Sequence, residues 1–135
     1  MTMKTILSAE DSSTNRRIVR DLLEWHGYRV VEAVDGLQAI EVARQELPDL
    51  ILMDIQLPHL SGYEVVSTLR ADPELADVPI IAITSYAMAD DERRAYESGC
   101  NDYLSKPFRP RVLVQRIQRL LETTTPAANA GEEDA

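Results

Sequence analysis

The sequence predicts an α/β fold in which five parallel strands alternate with five helices, a (βα)5 arrangement. Three observations favour this fold. Short apolar runs of strand length, such as Leu50–Met53, alternate with segments whose apolar residues recur at helical spacing. Strands that are apolar on both faces are typical of a parallel sheet covered by helices on both sides. Several of these runs also end in a polar residue, as Asp54 ends the third.

The first half of the chain supplies two strands and two helices. Helix 1 places Ile18 with Leu22, and Val19 with Leu23, on one apolar face. Trp25 is expected at the edge of the core. Gly27 suits the left-handed conformation of a C-terminal cap, and Pro48 ends helix 2 because it cannot continue the backbone hydrogen bonds. The predicted bounds are Lys4–Ala9 for strand 1, Ser13–His26 for helix 1, Tyr28–Ala33 for strand 2 and Gly36–Leu47 for helix 2.

The second half of the chain supplies the remaining three strands and three helices. Strands 3 and 4 are the runs "LILMD" and "PIIAIT", each apolar up to a final polar residue. Gly99 closes helix 4, and Leu113 and Ile117 lie one turn apart on the inner face of helix 5. The predicted bounds, in order, are Leu50–Asp54, Tyr63–Ala71, Pro79–Thr84, Met88–Ser98, Asn101–Ser105 and Arg111–Leu121.

Size and charge limit the classes of function. The 135 residues suit one domain, predicted over residues 1–122, followed by an acidic and flexible C-terminal tail over residues 123–135. A net charge of −9 argues against binding to nucleic acid or to an anionic membrane. The single cysteine and the lack of a signal peptide or membrane-spanning run indicate a cytoplasmic protein. The starting Met and the acidic tail favour a complete small protein.

The polar residues that follow the strands are expected to form one site. Glu10 and Asp11 follow strand 1, Asp54 ends strand 3, Thr84 ends strand 4, and Lys106 follows strand 5. Parallel strands all end at the same edge of a sheet, and open α/β sheets bind ligands at that edge. The sequence therefore predicts that these five side chains converge.

The charges of this group predict a metal ion and a reaction. Two carboxylates about 4 Å apart repel each other by on the order of 4 kcal/mol at an effective dielectric constant near 20. One lysine does not offset three carboxylates, whereas Mg²⁺ prefers such oxygen ligands. A cation, a lysine and a hydroxyl can hold the oxygens of a transferring phosphoryl group, and a carboxylate can accept it. Asp54 is therefore the candidate nucleophile.

Four segments carry a resemblance to a known family. The runs "EDSSTN", "LILMDIQLPHLSGYE", "PIIAITSYAM" and "GCNDYLSKPF" resemble the response-regulator receiver domain of two-component signalling, over about residues 4–122. Within that family the chain is similar to stand-alone regulators of bacterial cell cycle and polarity. The resemblance implies a flavodoxin-like fold with strand order 2-1-3-4-5, helices on both faces, and a role as a signalling switch in a phosphorelay.

The resemblance also implies the role of each residue at the site. Asp54 would accept a phosphoryl group from the phosphohistidine of a histidine kinase or histidine phosphotransferase. Mg²⁺ would be held by Asp11, by Asp54, by the backbone carbonyl of Gln56, and by Glu10 through a water molecule. Lys106 would pair with Asp54 and then with the phosphoryl oxygens.

A further set of implied roles concerns switching. Thr84 would move to the phosphoryl group and Tyr103 would swing inward. The surface formed by helix 4, strand 5 and helix 5, where a downstream protein would bind, would change as a result. The peptide bond before Pro107 is expected to be cis. Gln56 and Tyr86 flank the path of attacking water in the family, so the hypothesis is that they set the lifetime of the phosphate. The chain would promote only its own phosphoryl transfer and autodephosphorylation.

Three other functions fit the sequence less well. A receiver-like interaction module that acts without phosphorylation stays open, although the presence of Asp54, Asp11 and Lys106 argues against it. A phosphatase of the haloacid dehalogenase type would need a second acid two residues after its nucleophile, where this chain has Gln56. A dinucleotide-binding protein is disfavoured because the first strand-to-helix turn, "AEDSSTN", has no glycine.

Overall fold

All ten predicted elements are present, with bounds that agree to within two residues wherever they fall in the described parts of the chain. The structure is a computed structural model that describes residues 3–85 and 89–123. The predicted start of helix 4 at Met88 and residues 124–135 of the predicted tail lie outside these ranges. The elements are β1 Thr5–Ala9, α1 Ser13–Trp25, β2 Arg29–Ala33, α2 Gly36–Glu46, β3 Leu50–Asp54, α3 Gly62–Arg70, β4 Ile80–Thr84, α4 Ala89–Ser98, β5 Asp102–Ser105 and α5 Pro110–Thr123.

The five strands form one parallel sheet in the order β2-β1-β3-β4-β5, which confirms the implied topology. The strand order reverses between β1 and β3, since the chain leaves β1 toward β2 and returns to the other side of β1. The carboxyl ends of β1, β3, β4 and β5 therefore lie along one edge of the sheet. Asp54 ends β3 opposite Ile83 of β4, next to Thr84.

The sheet separates two hydrophobic clusters. One cluster contains Leu23 of α1 and Leu113 and Ile117 of α5, and the other contains Val66 of α3 and Ala95 of α4. Strand β3 lies between the two clusters, and all five of its residues are buried. A strand packed on both faces has little freedom to move, so the backbone of the residue at its end is held in a fixed position.

Two expectations for α1 are wrong. Trp25 is 85% exposed and Ile18 is 58% exposed, although the sequence suggested a core-edge residue and an apolar inner face. Leu23, which the sequence also placed on the apolar face, is the residue of α1 that is fully buried, so that part of the prediction is confirmed. Each residue turns a helix by about 100°, so Trp25 lies about 200° from Leu23 and Ile18 about 140° from it. Once Leu23 faces the sheet, Trp25 lies on the opposite side of the helix, and Ile18 lies outside the fully buried face, at the lining of a cavity.

Helix α3 begins in direct contact with the end of β3. Its first turn is closed by a capping box in which Ser61 and Glu64 each accept a hydrogen bond from the other's backbone amide. At Gly62 an added Cβ atom would lie 2.7 Å from the backbone oxygen of Asp54 and 2.7 Å from the Cα atom of Ile55. The glycine therefore permits the close approach of α3 to the loop after Asp54.

The single cysteine, Cys100, is buried at 7% exposure. Burial raises the pKa of its thiol to about 11, an effect that the Ser98 hydroxyl and the charge of Arg70 reduce only in part. Because the thiolate is the reactive form, we expect iodoacetamide at pH 8 to label the folded protein about a hundredfold more slowly than the urea-unfolded protein. Mass spectrometry over time measures both rates. Equal rates would show that Cys100 is accessible in the folded state.

Among the described residues, no helix is both long enough and apolar enough to cross a membrane.

Candidate functional site

Three carboxylates come together at the carboxyl edge of the sheet. Glu10 and Asp11 follow β1 and Asp54 ends β3, and one oxygen from each lies within 4.8 Å of the others. Glu10 and Asp54 are buried, whereas Asp11 is exposed. Within the described ranges the Asp11 carboxylate accepts no hydrogen bond, so its oxygens remain available to a ligand. This arrangement brings together the three acids that the sequence predicted to converge.

Lys106 contacts two of the three carboxylates. Its Nζ atom lies 2.6 Å from Oε1 of Glu10 and 3.2 Å from Oδ2 of Asp54. The resemblance implied the contact with Asp54, but the shorter contact with Glu10 was not anticipated. Burial alone would lower the pKa of Lys106, but the hydrogen bond that Lys106 donates to Glu10 and the charges of Asp54 and Glu10 outweigh it and raise the pKa. The ammonium group therefore stays charged at neutral pH.

The charges at this edge fit a divalent cation. Three carboxylates face one ammonium group, and the nearby Arg16 directs its guanidinium to the backbone oxygens of Glu10 and Asp11, at 2.8 and 3.0 Å. A site with an excess of negative charge and only oxygen ligands suits Mg²⁺ rather than a softer metal. The residues present therefore fit the ion that the sequence predicted.

Gln56 joins the ends of β3 and β4. Its backbone amide donates to Oδ1 of Asp54 at 2.9 Å, and its side-chain amide donates to the Thr84 hydroxyl at 2.8 Å. The backbone amide of Ser85 donates to Oε1 of Gln56 at 3.3 Å. The sequence indicated Gln56 for its backbone carbonyl and for the lifetime of the phosphate, and it gave no sign of this side-chain bridge to the fully buried Thr84.

The remaining predicted residues lie as follows. Tyr103 is half-buried against the cluster that contains Val66, and its hydroxyl oxygen is buried with no hydrogen-bond partner in the part of the chain that the structure describes. Burial raises the pKa of Tyr103, and the nearby carboxylates of α4 add to the effect. The peptide bond between Lys106 and Pro107 is cis. Tyr86 lies outside the described residues.

A cavity of about 520 Å³ opens beside the carboxylates, between α1 and the segment that follows β5. Asp54 and Lys106 lie at its polar end. Val19, Leu22 and Phe108 are among its apolar lining residues. The site can therefore be approached from the face that carries α1.

Sequence reasoning missed two residues that hold elements near the site. Arg70 of α3 donates to the backbone oxygens of Gly99, Leu75 and Ala76 at 3.0 to 3.1 Å, and to Oδ1 of Asn101 at 2.8 Å. These four bonds tie α3 to the loops before β4 and β5. The second missed residue is Tyr63, which lies next to Gly62 at the start of α3 and contacts α4. A lone arginine or tyrosine on a helix carries no sequence signal of such contacts.

The fold and the acidic site define a class of protein. The chain matches the family model of the response regulator receiver domain over residues 6–118, and it belongs to that family. It is a receiver domain of two-component signalling, a kind of domain that works as a phosphorylation-dependent switch. Receiver domains bind magnesium in an acidic pocket, and this chain has an acidic cluster of Glu10, Asp11 and Asp54.

Among curated proteins, the chain is similar to a regulator of cell polarity. It is 43% identical over 118 residues to the polar-differentiation response regulator DivK of Brucella anthropi, and equally to that of Brucella ovis. Each alignment covers 87% of this chain and 96% of the relative. The resemblance to single-domain polarity regulators is thereby confirmed.

Solved structures share the fold. The chemotaxis response regulator CheY4 of Vibrio cholerae matches with a TM-score of 0.83 and 30% identity, over 88% of this chain and 99% of that one. The receiver domain of a sensor histidine kinase of Pseudomonas aeruginosa matches with a TM-score of 0.83 and 38% identity, over 89% of this chain and 98% of that one. That structure holds a magnesium ion coordinated in its active-site cleft.

Proposed function

We propose that Asp54 accepts a phosphoryl group from the phosphohistidine of a histidine kinase or histidine phosphotransferase, in a reaction that depends on Mg²⁺. The observation that carries this proposal is the cluster of Glu10, Asp11 and Asp54 with Lys106 in contact with two of its members. An acid, a site for a cation and a fixed ammonium group are the parts that phosphoryl transfer requires.

The proposed metal site uses residues of two strand ends. Asp11, Asp54 and the backbone carbonyl of Gln56 would hold Mg²⁺ directly, and Glu10 would hold it through a water molecule. When bound, the ion supplies positive charge that offsets the negative charge of the phosphoryl oxygens. The exposure of the Asp11 carboxylate and the excess of acids over bases at the cluster support this assignment.

The transfer step follows from the position of Asp54. A carboxylate oxygen attacks the phosphorus atom of the donor, the phosphorus–nitrogen bond breaks, and its electron pair returns to the donor's imidazole. Lys106 remains protonated and moves its hydrogen bonds from the free carboxylates to the phosphoryl oxygens. Its raised pKa supports this role, because it holds the charge at neutral pH.

Autodephosphorylation reverses the modification by a different route. A water molecule attacks the phosphorus atom, the bond to the Asp54 oxygen breaks, and inorganic phosphate leaves. Gln56 and Tyr86 would flank the path of this water and set the lifetime of the phosphorylated state. The contacts of Gln56 with both Asp54 and Thr84 support a position beside that path.

Phosphorylation would then change a surface that other proteins read. Thr84 would leave Gln56 for the phosphoryl group, and Tyr103 would move with it, so that the surface of α4, β5 and α5 changes. The Tyr103 hydroxyl has no hydrogen-bond partner among the described residues, which supports the idea that its present position is one of two. A downstream protein target would bind this surface, and the donor would reach Asp54 over the apolar cavity beside α1.

We also propose that the protein is cytoplasmic and binds neither nucleic acid nor membranes. Its switch domain would span residues 1–122, followed by a tail over residues 123–135. The net charge of −9 supports protein partners over these anionic surfaces.

Intact mass spectrometry after incubation with acetyl phosphate tests the proposal. We expect one added phosphoryl group on the wild type with Mg²⁺, and none with chelator or on Asp54→Asn. Asp21→Asn is the matched control, since Asp21 is exposed on α1, and it should be labelled as the wild type is. Labelling of Asp54→Asn to the wild-type level would show that another residue is the acceptor.

The alternative is an interaction module that is never phosphorylated. Beryllofluoride, a stable mimic of the phosphoryl group, separates it from a switch whose phosphate is too short-lived to detect. Mg²⁺-dependent binding of beryllofluoride by the wild type and not by Asp54→Asn would support the switch. Absence of binding by either protein would favour the module.

A further inference from the structure

Tyr63 connects α3 to the first turn of α4. It is the second residue of α3, and only 9% of it is exposed. Its hydroxyl donates to the Asp91 backbone oxygen at 3.2 Å and to the Asp91 carboxylate at 3.3 Å. The guanidinium of Arg94, one turn further along α4, lies 4.2 Å from the centre of the tyrosine ring. Two different contacts therefore hold the start of α4 to this ring.

The other end of this connection is the phosphoacceptor loop. Gly62 precedes Tyr63, and its amide donates to the backbone oxygen of Ile55 at 2.9 Å. The space for a Cβ atom at Gly62 is filled by the backbone of Asp54 and Ile55. The backbone of Tyr63 is therefore fixed relative to Asp54, and burial of the ring holds its hydroxyl in place beside α4.

The charge of Asp91 also acts on a second tyrosine, Tyr103. The negative charge of Asp91 contributes to the raised pKa of both Tyr63 and Tyr103, after burial in each case. The hydroxyl of Tyr63 has Asp91 as its partner, whereas that of Tyr103 has none in the described parts of the chain. In the arrangement seen here, Asp91 is thus bound to the tyrosine of α3 and not to the tyrosine of β5.

We propose that the hydrogen bond between Tyr63 and Asp91 is a latch that holds the first turn of α4 against α3 in the resting state. The inference rests on the proposed function, because it adds a contact that phosphorylation must break. Thr84 ends β4 and α4 is the next helix along the chain, so the inference is that a shift of Thr84 toward the phosphoryl group is passed on to the start of α4. Tyr63 is thus a positioning residue for the switch and does not touch the reacting atoms.

The variant Tyr63→Phe isolates the latch. It keeps the buried ring and its contact with Arg94 and removes only the hydroxyl. Tyr96→Phe is the matched control, since Tyr96 lies on α4 and is 46% exposed. In the unphosphorylated protein, we expect amide hydrogen exchange over α4 to be about two- to tenfold faster in Tyr63→Phe, the effect of one net hydrogen bond, and unchanged in the control. Unchanged exchange in Tyr63→Phe would overturn the latch.

Affinity for beryllofluoride tests the link to switching. If the latch is present only in the resting state, its loss favours the active state, so Tyr63→Phe should bind beryllofluoride with Mg²⁺ about two- to tenfold more tightly than the wild type. Isothermal titration measures both affinities and that of Tyr96→Phe, which should match the wild type.

The outcomes separate the latch from the proposed function. A wild type that binds beryllofluoride, together with a Tyr63→Phe variant of equal or weaker affinity, overturns the latch and leaves the phosphoacceptor site in place. A wild type that binds no beryllofluoride overturns the proposed function, and the role of the latch in switching with it.

Discussion

Replacing Lys106 with methionine is expected to slow phosphorylation of Asp54 by about a hundredfold or more and, at the same time, to tighten Mg²⁺ binding by about tenfold. The first effect follows because the variant has no positive charge aimed at the phosphoryl oxygens, a loss that typically costs this much in rate. The second follows because the ammonium group now lies 2.6 and 3.2 Å from two of the carboxylates and competes with the ion for them.

This prediction requires the phosphorylation rate to fall while the Mg²⁺ affinity rises. Acetyl phosphate labelling followed by mass spectrometry gives the rate, and calorimetric titration gives the Mg²⁺ affinity. Lys4→Met removes the same charge from an exposed position and should change neither quantity. Lys106→Arg keeps the charge in a bulkier form. Its Mg²⁺ affinity should return closer to the wild-type value than its phosphorylation rate does. Weaker Mg²⁺ binding in Lys106→Met would contradict the proposed competition.

Replacing Gly62 with alanine is expected to lower the free energy of unfolding by about 3 kcal/mol. The added Cβ atom would lie 2.7 Å from backbone atoms of Asp54 and Ile55, and backbone atoms at the end of a buried strand cannot move aside as a flexible side chain can. Relief of the clash requires α3 to shift away from the loop after Asp54, so phosphorylation of Asp54 should fall as well. Urea unfolding followed by circular dichroism measures the loss of stability.

Gly27 provides the matched control for this substitution. Its φ angle is +88°, and an added Cβ atom would have nothing within 4 Å. Gly27→Ala should therefore cost about 1 kcal/mol, which is the penalty of the left-handed conformation alone. A loss in Gly62→Ala no larger than that in Gly27→Ala would show that the steric argument is wrong.

The order and type of the elements could be predicted because each has a strong local pattern. The run "LILMD" is apolar throughout, and the structure buries every residue of it. Which side of a helix packs against the core could not be predicted in this way, because neighbouring elements decide it. The apolar residues of α1 permit several orientations, and packing of Leu23 against the sheet leaves Trp25 in solvent.

The members of the site could be predicted from a single geometric rule, that parallel strands end at one edge. Their individual contacts could not, because these depend on side-chain length and conformation. Glu10 reaches Lys106 directly, and Gln56 reaches Thr84, across separations of 96 and 28 residues in the sequence. The bonds from Tyr63 to Asp91 and from Arg70 to Asn101 span 28 and 31 residues, and no local pattern marks either pair.

The exposure of Trp25 determines what optical measurements on this protein report. Trp25 is the single tryptophan, and it lies in solvent near the end of α1. Its emission should already resemble that of a hydrated indole in the native state, so unfolding will change its wavelength very little. The same fluorophore should instead respond to any protein that covers the end of α1, which makes the unlabelled chain a direct sensor of binding on that face.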